Sequence, residues 1–429
     1  MPAVITDNTS SDVRTVSLRA AVETPVRRFD SFPLARDRRV VVLAVHHVRV
    51  GERIYTGGAE KYIQTVVRAL LDAGARVHVG YSGTSIYEDL LNEYHPRKLT
   101  VEQTGWLSES LSGDGRISPG LLCDRRRWLR ATRADTVFAI QQAGGGAFVT
   151  SLLAARTLGL RVVTSIRQSP EPLPSPSGKR WFGVLPSPEL WRRKLIWRKR
   201  LPAHCAHAII YNSSTVASSY EDLYRFPPDR RRVIFNGEQG DTGSADASRP
   251  DVPLRIGSVG RVTTAKGADL LLDAFSIVAA RHPAARLTYF GDGDLIPTLR
   301  SQARDRGLDG RVNFAGYVES RGEMFRGIDI CVQPSRRESM SNAVIEAMAR
   351  GIPCVVADVG GMRETVVDDE TGFVVPRDDA TACAEAICRL MADRERYRRF
   401  SSAAAARARC QFDLRAVMRR TIRVILDLE

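Results

Sequence analysis

Pro334-Ser-Arg-Arg-Glu-Ser-Met-Ser-Asn-Ala-Val-Ile-Glu-Ala-Met-Ala-Arg-Gly-Ile-Pro353 is the stretch around which the rest of the chain is read. The apolar run 328–332 before it reads as a buried strand. A polar loop carrying Glu338 follows. Ser339, Ser341 and Asn342 offer N-cap side chains, and good helix formers run from 343 to 350 and stop at Gly351. A strand, a polar loop and a fresh helix start make a ready anion site, because first-turn amides are unpaired and the dipole favours negative charge. Glu338 lies in the loop and Glu346 inside the helix. Two carboxylates flanking an anion-binding turn suit a phosphate-linked polyhydroxyl ligand, amides for phosphate and carboxylates for hydroxyls.

The length of 429 residues favours two domains. A hydrophobic content of 43% with 7% aromatic residues is that of a soluble globular chain. The formal net charge of +14 attracts phosphates, nucleotides or anionic headgroups. Nucleic acid is the weaker reading, since no RNA- or DNA-binding signature accompanies the charge. The seven cysteines are scattered, with no C-x-x-C pair, which points to buried thiols in a reducing compartment, not to disulfides or zinc. No stretch has the length and apolarity of a signal peptide core or a spanning helix. The expectation is a cytoplasmic protein that can still touch a membrane surface.

Residues 1–37 mix Thr, Ser, Asp and Arg without periodicity and read as a disordered lead-in. Order begins with the near-continuous apolar strand at 39–45, and strand–helix alternation then continues to about 238. A Gly/Ser/Asp-rich linker spans 239–252, after which the alternation restarts and runs to 410. The final stretch, 411–429, is an amphipathic helix able to fold back onto the first domain. The expected architecture is α/β: two doubly wound domains with the ligand crevice at the carboxyl ends of their strands.

Gly257-Ser-Val-Gly-Arg-Val-Thr-Thr-Ala-Lys-Gly267 places Arg261 and Lys266 on the loop after a strand, with Gly260 allowing the turn. Alone these are two surface cations on a β–α loop; beside the anion site of the same domain they read as a diphosphate clamp. Gly57-Gly58-Ala59-Glu60 opens a helix in the first domain, which is either a tight turn or a site of close approach. Neither domain carries G-x-G-x-x-G after a strand, so a nicotinamide dehydrogenase is disfavoured.

Taken together, the Gly-Arg…Lys-Gly loop, the Glu338-x7-Glu346 pair, Gly360-Gly361-Met-Arg-Glu364 with Gly372-Phe-Val-Val375, Gly57 to Glu60, and Asn236-Gly237 resemble the retaining GT-B glycosyltransferases of family 4. The resemblance spans nearly all of 39–428 and is densest in the second domain. It implies that Arg261 and Lys266 hold the donor diphosphate and stabilise the leaving group. It implies further that Glu338 meets the donor sugar, and that Met340, Ser341 and Asn342 contact sugar and phosphate through their backbone. Glu346 would hold the ribose, and Gly58 would let the first domain approach diphosphate and acceptor. The donor would be a nucleoside-diphosphate sugar used as co-substrate, with no metal or other cofactor required. The acceptor would be a glycan, a glycolipid or a small molecule in the cleft.

Two departures from the family pattern stand out. Arg167 occupies the place where many relatives have a histidine near the donor sugar. Glu338-Ser-Met-Ser replaces the commoner Glu-Gly-Phe-Gly, which leaves the sugar open. His46 and His47 suit a structural or acceptor-contact role, and Glu364 either meets a ligand hydroxyl or favours its helix dipole. Trp191-Arg-Arg-Lys-Leu-Ile-Trp-Arg-Lys-Arg200 carries six cations. It is either an interfacial helix for an anionic membrane or a surface helix packing Trp191, Leu195 and Ile196. Arg125 to Arg127 and Arg230 to Arg232 read as solvated charge runs. A nucleotide-sugar epimerase, a sugar phosphorylase or a non-catalytic subunit on the same fold are the competing functions.

Overall fold

The computed structural model describes residues 35, 37–45, 49–50, 53–54, 58–82, 85–104, 119–141, 146–170, 188–239, 255–318 and 320–428. Nearly all of the expected lead-in and linker, and the positions of His46, His47 and Gly57, lie outside those residues.

Two parallel sheets carry the fold. The first contains β1 (Arg39–Val45), β2 (Arg76–Ser82), β3 (Leu99–Gln103), β4 (Thr136–Gln141), β5 (Arg161–Ile166), β6 (Ala208–Tyr211) and β7 (Arg231–Val233). Their order is β3-β2-β1-β4-β5-β6-β7. The second contains β8 (Arg255–Val259), β9 (Arg286–Phe290), β10 (Val312–Gly316), β11 (Ile330–Gln333), β12 (Cys354–Ala357) and β13 (Gly372–Val375), in the order β10-β9-β8-β11-β12-β13. Each is a doubly wound sheet whose order reverses beside its first strand. The central strands are mostly apolar because both faces are covered. Val40, Val42 and Ala44 enter one core layer and Val41 and Leu43 the other. In the second sheet Ile330 and Val332 face one layer while Cys331 faces the opposite one. The cysteines at 205, 331, 354 and 383 are free and buried.

The chain crosses between the sheets at 235–239 and returns at 412–414. Phe235 and Phe412 meet there, ring centroids 5.8 Å apart. The Glu238 amide donates to the Phe412 carbonyl at 2.8 Å, and the Leu414 amide returns a bond to the Glu238 carbonyl at 3.1 Å. Asp413 caps the last helix, Leu414–Leu426, by accepting from the Ala416 amide. That helix buries Val417, Met418, Ile422 and Ile425 in the first domain's core. Arg161 ties its end, pairing with Asp427 at 2.6 Å and donating to the Val424 carbonyl.

Three sequence expectations need correction. Arg125 is 8% exposed, and so is no solvated charge. Arg230 donates to the carbonyls of Ala203, His204 and Ala206, satisfying the orphan acceptors at the end of helix Pro188–Cys205. β3 escaped notice because it is an edge strand with only Leu99 buried, so its sequence lacks an apolar run.

Ile425→Ala should cost about 2–5 kcal/mol in urea unfolding, the usual range for deleting a fully buried branched side chain. A loss below about 1 kcal/mol would show that the last helix is not part of that core.

Candidate active site

β8 and β11 are hydrogen-bonded neighbours, and the chain leaves them toward opposite sides of the sheet. The loops that follow them therefore open side by side at the strands' carboxyl ends. Gly260 turns the first loop at φ 136°, a conformation closed to ordinary L residues. Lys266 closes the single turn Thr264–Lys266, and its Nζ pairs with Glu338 Oε2 on the second loop. Both side chains are largely screened from solvent. Arg261 is exposed and has no partner among the described residues. Arg336 staples the two loops together: Nη1 lies 2.6 Å from Asp269 Oδ1 and 2.9 Å from the Thr264 carbonyl, while Nε reaches Asp378 at 2.5 Å.

The start of helix Asn342–Ala349 departs from the expected capping. Ser341 occupies the N-cap but makes no side-chain capping bond, and Ser339 and Asn342 bond to the opposite domain instead. The Ser339 hydroxyl donates to the Arg167 carbonyl at 2.7 Å and accepts from Asn212 Nδ2 at 3.1 Å. The Ser169 hydroxyl donates to the Glu338 carbonyl at 3.0 Å. Asn236 Nδ2 donates to Asn342 Oδ1 at 2.5 Å and to the Met340 carbonyl at 3.3 Å. Met340 and Ser341 are buried. Gly58 begins helix Gly58–Asp72 directly against this loop, and a Cβ there would lie 2.7 Å from Asn342 Nδ2. The close approach that Gly58 permits is thus to the Asn342 amide. Four first-domain residues hold the Glu338 loop, and the two domains meet around it.

Glu346 lies inside that helix, 5% exposed, and pairs with Arg321 Nη1 at 2.5 Å. Glu238, on the crossover between domains, is its electrostatic neighbour. Burial, and then the Glu346 charge, push the Glu238 carboxyl up to about 8, against the pull of Arg350, Lys61 and Arg321. Shifted pKa values of this kind cluster at functional sites.

Glu364 resolves the two roles left open for it. Its carboxylate accepts from the amides of Ser214 and Thr215 at 2.7 and 2.8 Å, and from the Thr215 hydroxyl at 2.7 Å. It serves a helix N-terminus, but that of Ser214–Tyr224 in the other domain. Gly361 makes the approach possible, since a Cβ there would sit 2.5 Å from Ser213 Cβ.

The sequence missed Ser169, Asn212, Arg321, Arg336 and Glu238 as site residues. Short polar residues acting across a cleft carry no local pattern, and Arg336 was masked by its neighbour Arg337. Of the basic helix, the side chains of Trp191 and Leu195 lie outside the described residues, Ile196 is half-buried, and Trp197 is 61% exposed.

Because the Glu238 carboxyl is raised, the fold favours its neutral form. The associated stability is present below about 4.5 and lost as pH rises through about 8. Glu238→Gln should therefore raise Tm at pH 8.5 relative to wild type and flatten the Tm profile between pH 5 and 8.5. Parallel profiles for the two proteins would contradict this.

The profile described as Glycosyltransferase Family 4 matches residues 56–237, and that described as Glycosyl transferases group 1 matches 253–393. The lipopolysaccharide core biosynthesis glycosyltransferase LpsE of Rhizobium meliloti is 31% identical over 188 residues, covering 43% of this chain and 54% of LpsE. The match thus spans about half the length of that relative. A D-inositol 3-phosphate glycosyltransferase of Xylanimonas cellulosilytica is 26% identical over 88% of this chain and 94% of its own. The crystal structure of Anabaena HepE in complex with UDP superposes with a TM-score of 0.69 at 19% identity, over 91% of this chain and all of HepE. A glycosyltransferase structure from Rickettsia africae gives 0.70 at 17% identity, over 91% of this chain and 98% of its own. Matched in both halves, and sharing the two-sheet fold of those structures, the chain belongs to the family 4 glycosyltransferases of GT-B architecture.

Proposed function

We propose that the chain is a retaining glycosyltransferase that moves a sugar from a nucleoside-diphosphate donor to an acceptor hydroxyl in the interdomain cleft. The observation that carries this reading is the pairing of Lys266 with Glu338 on adjacent loops, with exposed Arg261 on the same side. Cations at one edge suit a diphosphate, and the carboxylate suits sugar hydroxyls. HepE, of the same fold, has been solved with UDP and with UDP-glucose, which supports a nucleotide-sugar donor.

In this scheme the bond between the sugar's anomeric carbon and the diphosphate oxygen breaks, and negative charge builds on the departing phosphate. Arg261 and Lys266 offset that charge in a partly dry site, where preorganised cations act most strongly. The acceptor oxygen bonds to the anomeric carbon from the same face, and its proton passes to the leaving phosphate. Glu338 orients the sugar, Glu346 holds the ribose, and backbone groups of Met340, Ser341 and Asn342 complete the seat. No step calls on a metal. An epimerase would act on donor alone and a phosphorylase would need free phosphate, so donor-only incubations separate these alternatives.

A panel of UDP-, GDP- and ADP-sugars, scored by released nucleoside diphosphate, should yield at least one donor. Lys266→Ala together with Glu338→Ala should lower the rate with that donor by about a hundredfold or more. If no donor binds or turns over, the assignment fails; full activity in the double variant overturns the site.

The acceptor reading is a glycan or glycolipid precursor of the cell surface, made at the cytoplasmic face of the membrane. The charge of +14 and the exposed Trp197 among Arg192, Arg193 and Arg200 support peripheral contact with anionic lipid. The described helices include none long and apolar enough to cross a membrane. Co-sedimentation with phosphatidylglycerol vesicles should be strong at 50 mM salt, weak at 500 mM and absent with neutral lipid. Equal recovery in all three would refute the contact.

A further inference from the structure

Arg167, directly after β5, meets no carboxylate among the described residues and, unlike exposed Arg261, has a terminal nitrogen closed off from solvent. Arg321 has Glu346, and Arg336 has Asp269 and Asp378. Arg167 has only neutral partners. Its guanidinium carbon lies 3.7 Å from the centroid of the Tyr62 ring, and Nη2 donates to Asn236 Oδ1. Nη1 is closed off from solvent and has no hydrogen-bond partner among the described residues. The Tyr62 hydroxyl, on the ring that Arg167 covers, is also buried without a partner. Burial lowers the pKa of Arg167, as expected for a desolvated cation without an anion.

Two orphan donors and one uncompensated charge in the same place are costly to keep. They are also oriented. The Arg167 carbonyl accepts from the Ser339 hydroxyl, one residue from Glu338, and the Asn236 amide that receives Nη2 is fixed by Asn342 and Met340. The guanidinium is therefore anchored where the first domain meets the loop that carries Glu338. A neutral hydroxyl would satisfy one donor and leave the charge unmatched. A planar group with two oxygens and one negative charge satisfies both donors and the charge.

We propose that Arg167 Nη1 and the Tyr62 hydroxyl form a subsite for the carboxylate of an anionic sugar, a uronic acid bound in the cleft. This rests on the transferase reading above and sharpens it. The carboxylate can belong to the transferred sugar or to the acceptor, and the experiment separates the two. Calorimetric titrations of the full chain compare UDP-glucuronate with UDP-glucose and GDP-mannuronate with GDP-mannose as the donor arm. With UDP or GDP saturating, methyl glucuronoside against methyl glucoside forms the acceptor arm. Each is repeated with Arg167→Gln, Arg167→His and Tyr62→Phe, with UDP and GDP alone as controls.

In one arm, wild type should bind the carboxylate at least tenfold more tightly than its neutral partner. Arg167→Gln and Arg167→His should bring that ratio near one, Tyr62→Phe should reduce it, and UDP or GDP alone should bind all four proteins equally. A ratio near or below one in both arms, or a ratio that survives Arg167→Gln, overturns the subsite while leaving the transferase reading intact. Binding of neither nucleotide, with no ADP-sugar bound or turned over in the donor panel, would sink the transferase reading and the subsite with it.

Discussion

The site depends on a constraint of chain direction. From β8 the chain runs to β9 on one side of the second sheet, and from β11 it runs to β12 on the other. Helices that follow such strands diverge and leave a gap between the two loops, which Arg336 bridges within the second domain. Lys266 and Glu338 face each other in that gap, and the first domain supplies a roof through Ser169, Asn212 and Asn236. The ion pair is largely screened from solvent, which is the condition under which fixed charges act strongly on a ligand.

Much of this was legible in the sequence, and the reasons differ by residue. Parallel strands such as β1 and β11 read directly as apolar runs because both of their faces are buried. Lys266, Glu338 and Glu346 could be read because each lies at a fixed offset from a strand end or helix start. Arg230 and Arg125 could not be told from solvated charge, since the same residue type either caps carbonyls or faces water depending on distant chain. Ser169 and Asn212 were invisible for the same reason. Each contributes one hydrogen bond to a loop more than a hundred residues away, and no local spacing encodes that.

Charge in the cleft is divided unevenly. Lys266 with Glu338 and Arg321 with Glu346 are matched pairs, each able to exchange its partner for a ligand group of the same sign. Glu238 and Arg167 make no ion pair among the described residues, the first held toward its neutral form beside Glu346 against the pull of Arg350, Lys61 and Arg321, the second stacked on an aromatic ring. Partly buried charges without an ion-pair partner destabilise a resting protein, and a cleft that retains them is more closely fitted to a ligand than to itself.

The Glu364 bonds to Ser214 and Thr215 make one domain the cap of a helix in the other. Separating the domains for ligand exchange leaves the first turn of Ser214–Tyr224 with only the Ser213 hydroxyl to satisfy it. Cleft opening and fraying of that turn are then thermodynamically linked, and the linkage runs both ways. Whatever steadies the helix start from the outer surface of the first domain favours a closed cleft, without touching donor or acceptor.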